Sequence, residues 1–269
     1  METIARGVNA RVRGDRILEV WFSRYREPFK TQAPRQAKGL VGRTILDVHR
    51  TGKHVVCELG PASAGSLGAE WIVHLGMTGR LLVTAPEAPV ELHTHARLML
   101  SSERELRFVD PRHFGRLEFR DLGKSKAFAG PGAEPLTIEA NAFARLFHGR
   151  KLAIKAALLN QTLLAGVGNI YADESLFQAG IRPLKRAGRL TRAELEKLRL
   201  ALREVLQHAI RLGGSSVSDY VDAEGVRGFF QLEHCVYQRT GEPCRQCGSL
   251  IRRVIAGGRS THYCAKCQR

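Results

Sequence analysis

The sequence predicts an α+β protein: an N-terminal antiparallel β-sandwich with flanking helices, then a helical domain, then a metal-pinned β-hairpin. Seven short apolar runs precede residue 127 at near-regular spacing, which is typical of a sandwich or flattened barrel. Beyond about residue 139 the apolar residues recur with helical spacing. The chain closes with two Cys-x-x-Cys pairs. These patterns divide it into residues 1–127, a linker at 128–139, a helical domain at 140–234 and a zinc finger at 235–269.

The first segment begins with a helix and continues as strands. Ile4, Val8 and Val12 recur every four residues, which places them on one helical face. The predicted strands are RILEVWF, HVVCEL, EWIVHLG, RLLVTA, RLML, LRFVD and RLEFRDL. The Gly- and Pro-containing segment AFAGPGAEPLTIE then breaks the pattern, as a linker does.

The helical segment contains one especially clear helix. Thr191 and Glu194 have the spacing of a capping box, and Gly213 ends the run. The residues between them that form a single apolar stripe are Leu195, Leu198, Leu202, Val205, Leu206 and Ala209. Two further helices are predicted in RKLAIKAALLNQTLLAG and IYADESLFQAGI, separated by GVGN. Residues 213–233 lack periodicity and are interpreted as a long functional loop.

The charge balance points to a polyanionic partner. The 269 residues carry 42 Lys and Arg against 26 Asp and Glu, a formal net charge of +16. Nucleic acid is the commonest partner of such a surface, although an unspecialised basic surface is the alternative. With no run of about 18 apolar residues and a charged opening, we expect no membrane span and no secretory signal. Cytoplasmic residence is therefore the expectation, and nothing in the sequence indicates an obligate oligomer.

The C-terminal cysteines predict one structural zinc ion. Cys244 and Cys247 form the first pair, sixteen residues follow, and Cys264 and Cys267 form the second. Four thiolates at this spacing suit tetrahedral Zn²⁺ and leave no open position for a catalytic water. A pair of disulfides is the alternative, which a reducing compartment disfavours. The remaining cysteines, Cys57 and Cys235, are interpreted as small apolar residues.

Several polar residues are candidates for phosphate contacts. Arg259 would lie at the tip of the hairpin between the cysteine pairs, where a solvated arginine is an equally good interpretation. Asn169, the last residue of GVGN, is expected near the N-terminus of the following helix, where its amide and the exposed backbone N–H groups suit a phosphate. Upstream cations at helical spacing are Arg150, Lys151 and Lys155. Each lysine, taken singly, is better explained as part of a solvated helix face.

Two turn-like motifs in the first segment offer candidates for insertion into a base stack. Met77 stands between glycines in HLGMTGR, and Arg112 and Phe114 belong to DPRHFG. Apolar side chains on turns of a basic protein can act as wedges. Taken alone, a Met and a Phe in a β domain are more often core residues.

Together these motifs resemble the Fpg/Nei family of DNA glycosylases, over the whole chain and in order. The matching stretches are ETIARG, TGKHVVCEL, HLGMTG, HTH, DPRHFG, KLAIKAALLNQ, GVGNIYADESLFQAGIRP, VYQRTGEPC and GGRSTHYC. DPRHFG and the loop at 213–233 are more similar to the Fpg branch. The resemblance implies a β-sandwich lobe and a helix-two-turn-helix lobe ending in a zinc finger, with DNA in the cleft between them.

The resemblance also implies an activity and a partner. Members of the family remove oxidised purines such as 8-oxoguanine and formamidopyrimidines from double-stranded DNA and nick the strand at the resulting abasic site by β,δ-elimination. Enzymes that act on a base must first extrude it from the helix.

Individual roles follow from the same resemblance. Met77, Arg112 and Phe114 would fill the gap left by the extruded nucleotide. Phosphate contacts would come from His93, Arg150, Lys155 and Asn169. Arg259 would grip the phosphate at the lesion and take part in the final elimination. Lys53 would lie in the active site and assist base removal or β-elimination.

The printed sequence departs from the family at its first residue. The family begins Pro-Glu-Leu-Pro-Glu-Val-Glu-Thr, and its terminal proline amine forms a Schiff base with the sugar while the neighbouring glutamate handles protons. Here Met1 occupies the Val position. At about 3.3 Å per residue, the Met1 amine would lie well over 10 Å from the expected place. A lysine substitute such as Lys53 has a less favourable pKa, about 10.4 against about 8 for an α-amine.

Two hypotheses account for this departure. In the first, which we favour, a GTG codon for Val serves as the initiator and the natural protein starts upstream; an in-frame stop codon directly before Met1 would exclude it. In the second, the protein binds damaged or abasic DNA without cutting it. The chain beginning at Met1 is expected to bind DNA tightly and to excise bases poorly. A rival from another class, a zinc-ribbon protein for RNA or a transcription complex, predicts no preference for damaged duplex.

Overall fold

The chain forms two compact units. The computed structural model describes residues 1–25, 28–63, 65–215, 223, 225–226 and 228–269. One unit comprises Met1–Ala129 with Gly213–Gly228, and the other comprises Gly130–Leu212 with Phe229–Arg269. The sequence assigned 213–228 to the helical domain, whereas Ala223 packs in the first unit, where its carbonyl accepts a hydrogen bond from Val83 N at 3.0 Å. The remaining segment boundaries stay predictions.

Ten elements build the first unit. They are α1 (Glu2–Val12), β1 (Ile17–Phe22), α2 (Ala33–Leu40), β2 (Ile45–Thr51), β3 (His54–Leu59), β4 (Ala69–His74), β5 (Arg80–Thr84), β6 (Thr94–Leu100), β7 (Glu105–Val109) and β8 (Arg116–Asp121). Two four-stranded antiparallel sheets run in the orders β1-β6-β7-β5 and β2-β3-β4-β8. The predicted sandwich and all seven predicted strands are confirmed.

The core of this unit forms from the inward faces of both sheets and from α1. Ile4, Val8 and Val12 are at most 1% exposed, as their four-residue spacing predicts. They pack in one cluster with Trp71 and Phe108, which come from different sheets. Burying these large side chains is the main contribution to the stability of the sandwich.

Elements α2 and β2 were not predicted from the sequence. Helix α2 is short and largely polar, and one of its two buried positions is occupied by Gln36 instead of an apolar residue, while Leu40 occupies the other. Gln36 Nε2 donates to the carbonyls of Thr31 and Leu117, and its Oε1 accepts from Trp71 Nε1 at 3.1 Å. A buried glutamine with all these partners gives no apolar periodicity to detect.

The second unit is helical and ends in a hairpin. Its elements are α3 (Ala140–Phe147), α4 (Ile154–Leu159), α5 (Asn169–Gln178), α6 (Arg192–Arg211), β9 (Arg252–Ala256) and β10 (Arg259–Tyr263), with 3₁₀ turns at Ala187–Arg189 and Phe230–Glu233. The predicted stripe of α6 is buried except for Leu206, which is half-buried. Among the described residues, no helix is both long and apolar enough to cross a membrane.

Helix α4 is shorter than the sequence predicted. The apolar spacing continues through residue 165, but the helix ends at Leu159. Asn160 Oδ1 accepts hydrogen bonds from Thr162 N at 2.9 Å and from Thr162 Oγ1 at 2.8 Å. Such a local side-chain turn competes with helical hydrogen bonding and ends the helix. Of the predicted loop at 213–233, residues 216–222, 224 and 227 lie outside the described residues.

The capping box of α6 generates a stability prediction. Thr191 Oγ1 accepts from Glu194 N at 3.2 Å, and Glu194 Oε2 accepts from Thr191 N at 2.9 Å. Thr191→Ala should therefore lower the free energy of unfolding by about 1 kcal/mol, measured by urea denaturation. Thr191→Ser, which keeps the hydroxyl, should stay close to wild type; equal losses in both variants would contradict a capping role.

Candidate nucleic-acid interface

The four predicted metal ligands meet in one cluster. The sulfurs of Cys244, Cys247, Cys264 and Cys267 all lie within 4.8 Å of one another. A tetrahedral Zn²⁺ with Zn–S bonds of about 2.3 Å separates its sulfurs by about 3.8 Å. The Cys244–Cys267 and Cys247–Cys264 sulfur distances of 3.9 and 3.5 Å match that value. The cluster is therefore a structural zinc site, and its four thiolates fill the coordination shell.

The zinc-site cysteines flank a two-stranded hairpin that presents Arg259. Strands β9 and β10 pair with Arg259 opposite Ala256, and Gly257 and Gly258 form the turn with φ of 56° and 73°. These positive φ values favour glycine at both positions. A Cβ added to Gly257 would lie 2.9 Å from Ala156 Cβ, so the tip of the hairpin packs on α4. Arg259, the first residue after the turn, is exposed.

Lys155 lies below the hairpin. Its side chain is buried, so the phosphate contact predicted for it is wrong. Its side chain is 0% exposed, and its Nζ lies 2.6 Å from Asp173 Oδ1 and donates to the Ser260 carbonyl at 2.7 Å. Burial lowers the pKa of Lys155, while the adjacent Asp173 carboxylate opposes that shift. An ammonium enclosed in this way positions protein groups and has no surface with which to meet DNA.

Asp173 completes this network on its other side. Its Oδ2 accepts hydrogen bonds from the backbone N of His262 at 2.9 Å and from the His262 ring Nδ1 at 3.1 Å. Asp173 belongs to α5 and His262 to β10, so one buried carboxylate ties the hairpin to the helix. The contact explains why a carboxylate, which has several lone pairs and accepts only, occupies this buried place.

The neighbouring Glu174 binds the segment that leads into the zinc finger. Its carboxylate accepts from the backbone N–H groups of Cys235, Val236 and Tyr237 at 2.9, 3.0 and 2.8 Å. Burial raises the pKa of Glu174, and these three donors act in the opposite direction. Two consecutive carboxylates of α5 therefore hold both the entrance to the zinc finger and its second strand.

Asn169 is the first residue of α5, as predicted, and its side chain also reaches the hairpin. Asn169 Nδ2 donates to the Ser260 carbonyl at 3.1 Å, the same oxygen that Lys155 binds. Its Oδ1 is buried and makes no hydrogen bond within the described residues. The N-terminal end of α5 and the residue after Arg259 are thus joined directly. A helix N-terminus beside an arginine favours an anion.

In the first unit, the three insertion candidates lie on exposed turns. Met77 is 57% exposed and Phe114 is 48% exposed, so the core interpretation of both is wrong. The guanidinium of Arg112 lies over the Phe114 ring, 4.9 Å from its centroid. An exposed Met, an exposed Phe and a stacked Arg form an apolar and planar surface of the kind that packs against bases.

Lys53 and His93 occupy turns of the same unit. Lys53 lies in the β2–β3 turn after Gly52, whose φ is 61°. Arg50 steadies this turn, because it donates to the Gly52 carbonyl at 3.1 Å and pairs with Glu2 of α1 at 2.8 Å. His93 is half-buried with φ of 65° and precedes β6. Their roles toward DNA stay predictions, as do those of Arg112, Arg150, Asn169 and Arg259.

Sequence reasoning missed the buried polar residues that hold these groups. Asp173 and Glu174 stand within a helix, and Asp110 stands at the start of a turn. Nothing in their local pattern distinguishes a buried carboxylate from a solvated one, because its partners lie far along the chain.

A two-unit fold with a β-sandwich, a helical unit and a four-cysteine zinc finger defines a class of DNA-binding protein, and comparison identifies the family. The chain belongs to the formamidopyrimidine-DNA glycosylase family. Residues 1–117 match its N-terminal domain, residues 130–221 match its H2TH domain, and residues 241–269 match the zinc finger found in FPG and IleRS.

Individual relatives cover the whole chain. It is 45% identical to the formamidopyrimidine-DNA glycosylase of Solibacter usitatus, covering 100% of this chain and 97% of the relative. The Cupriavidus pinatubonensis enzyme is 40% identical, with 100% and 98% covered. Among solved structures, Lactococcus lactis Fpg bound to abasic-site DNA gives a TM-score of 0.87 at 34% identity, with 100% and 97% covered. The MutM (FPG) protein of Thermus thermophilus gives 0.84 at 38% identity, with 99% and 96% covered.

The Lys155–Asp173 pair generates a second stability prediction. Asp173→Asn leaves the buried ammonium without its counter-charge and should lower the free energy of unfolding by about 3–5 kcal/mol. Adding Lys155→Met removes the stranded charge and should restore part of the loss. Urea denaturation measures both.

The matched control is the pair of Arg239 and Glu242, which lie 2.8 Å apart and in which the Glu242 side chain is 55% exposed. Glu242→Gln should change the free energy of unfolding by less than about 1 kcal/mol. A loss for Asp173→Asn no larger than that of this control, or no recovery in the double variant, would show that the buried pair is not coupled as described.

Proposed function

We propose that this protein is a bifunctional DNA glycosylase and abasic-site lyase of base-excision repair, acting on oxidised purines in double-stranded DNA. Its family membership supports the activity, and a net charge of +16 supports a polyanionic substrate. Solved relatives from Lactococcus lactis were bound to DNA containing an abasic site or Fapy-dG. The protein acts on chromosomal DNA as a monomer associated with the bacterial nucleoid.

The observation that carries this proposal is the shared Ser260 carbonyl. It accepts from Asn169 at the start of α5 and from buried Lys155, and it belongs to the residue next to exposed Arg259. A phosphate beside these groups meets a guanidinium, the positive end of a helix and the second hydrogen of the Asn169 amide. Such contacts fix a protein on the DNA backbone without reading sequence. Arg150, exposed just before α4, adds a further cation.

The exposed turns of the first unit supply the second requirement of a glycosylase. A base is reached only after it leaves the stack, and the gap must be filled while the base is out. Met77, Arg112 and Phe114 are the side chains we assign to that gap. His93 contacts a phosphate nearby, and Lys53 assists base removal or β-elimination.

The rigidity of the zinc hairpin suits phosphate binding by Arg259. A mobile arginine loses conformational entropy on binding a phosphate, so fixing the backbone of Arg259 beforehand lets more of the electrostatic free energy appear as affinity. The zinc site, the Gly257–Ala156 contact and the Asp173–His262 bonds remove that freedom beforehand. The role of zinc is to hold the hairpin in this place.

Release of the damaged base tests the proposal. The protein purified from its native gene is incubated with a duplex carrying 8-oxoguanine or formamidopyrimidine opposite cytosine, and free base and nicked strand are measured. We expect both products, with none from the undamaged duplex. Preferential binding without release would instead favour a non-catalytic damaged-DNA binding protein, and equal affinity for damaged and undamaged duplex would overturn both functions.

The salt dependence of binding separates surface cations from buried ones. Each phosphate contact removed should reduce the slope of log K against log salt by about 0.9. Arg150→Ala and Arg259→Ala should each show this reduction in a fluorescence-anisotropy titration. Lys155→Met, which removes a cation that is 0% exposed, should leave the slope unchanged even where it weakens binding. A reduced slope for Lys155→Met would contradict its burial in the working protein.

A further inference from the structure

Two turns of the first unit are packed directly against each other. The first turn joins β4 to β5 and carries Met77; the second joins β7 to β8 and carries Arg112 and Phe114. A Cβ added to Gly76 would lie 2.7 Å from the Phe114 carbonyl carbon and 2.8 Å from Gly115 N. With φ of 66° at Gly76, the first turn tolerates only glycine at this contact. The exposed side chains of both turns therefore share one support.

Asp110 lies beneath both turns and binds each of them. It is 0% exposed. Its Oδ1 accepts from Thr78 Oγ1 of the first turn at 2.7 Å and from Arg112 N of the second at 3.3 Å. Its Oδ2 accepts from Gly115 N at 2.7 Å. One buried carboxylate thus brackets the second turn at both ends and ties it to the first.

The backbone of Asp110 extends the same network toward His93. Asp110 N donates to the His93 carbonyl at 3.0 Å, and the Asp110 carbonyl accepts from His113 N at 3.3 Å. The ring of His95 lies 3.1 Å from that carbonyl through Nε2 and 3.1 Å from Ser23 Oγ through Nδ1. Every insertion candidate and the phosphate candidate His93 therefore sit within one or two residues of a hydrogen bond to Asp110.

A carboxylate is the side chain best suited to this position. It offers two oxygens and accepts only, and all three of its side-chain partners are donors. Asparagine would keep one accepting oxygen and turn an NH₂ group toward a donor. Bonds to a charged acceptor are stronger than those between neutral groups, and in a buried site their loss leaves donors unsatisfied.

We propose that Asp110 is a positioning residue that holds Met77, Arg112, Phe114 and His93 in the arrangement needed to open the helix, with Thr78 as its link between the two turns. The inference rests on the proposed function, because it concerns how the gap behind an extruded base is filled. A small displacement of a wedge residue should weaken binding to the opened helix, because the helix closes again when the gap left by the extruded base is not filled.

Comparing two DNA substrates tests the inference. The first is a duplex with 8-oxoguanine paired to cytosine, where the helix must be opened. The second carries the same lesion opposite a one-nucleotide gap, where no pair has to be broken. Dissociation constants of the full chain for both are measured at one salt concentration by fluorescence anisotropy.

Two variants are compared with wild type, Asp110→Asn and Thr78→Val. Thr78→Val keeps the side-chain shape and removes only the hydrogen bond between the turns, so it tests the inference even if Asp110→Asn folds poorly. Both variants should bind the paired substrate about tenfold more weakly and the gapped substrate nearly as well as wild type. Thr78→Ser should restore binding. The matched control Ser102→Ala removes a similar 2.7 Å bond, from Ser102 Oγ to Asp15 Oδ2 in the same unit, and should change neither constant.

Two results would overturn the inference. Equally weakened binding to both substrates would mean that Thr78 and Asp110 merely stabilise the unit. Unchanged binding to both would mean that the two turns keep their positions without the Asp110 hydrogen bonds. Failure of the proposed function would look different: the wild-type protein would then bind the lesion duplex no better than an undamaged one. That outcome appears before any variant is compared.

Discussion

The ion pair between Lys155 and Asp173 is the interaction on which the helical unit depends. Both side chains are 0% exposed, so both charges lose their hydration, a cost that is recovered only with good geometry and further hydrogen bonds. Those bonds come from the Ser260 carbonyl and from His262. Because every one of these partners belongs to the hairpin or to α4 and α5, the pair is satisfied in one arrangement of those elements only.

In the first unit, a single buried carboxylate joins segments that lie far apart in the sequence. Asp110 accepts from Thr78, which lies 32 residues away along the chain, as Asp173 accepts from His262, 89 residues away. In both units a buried acid lies beneath exposed residues assigned to DNA. Their positions are set by a buried acid one layer below, where a low dielectric strengthens each hydrogen bond and penalises each one that is lost.

The sequence predicted well what depends on local spacing. Seven strands, helices α1, α5 and α6, the capping box at Thr191 and the four zinc ligands all follow from periodicity or from fixed intervals between like residues. It failed where the deciding partner is remote. Helical spacing placed Lys155 among surface cations, because nothing near it in the chain reveals its partner Asp173. Composition favoured a core position for Met77, because the contact of Gly76 with Phe114 joins residues far apart in the sequence.

The two sets of residues proposed to face DNA should depend on salt in different ways. Phosphate contacts of the kind proposed for Arg259, Arg150 and the start of α5 gain free energy by releasing counterions, so they attract any duplex and weaken as salt rises. The contacts proposed for Met77 and Phe114 are apolar and would form only where the helix opens, so they would depend on how easily a base pair is broken. A damaged base that is held less well in the stack costs less to extrude. On this proposal, affinity for DNA in general would reside in the helical unit, and preference for damage would reside in how firmly Asp110 holds the two turns of the β unit.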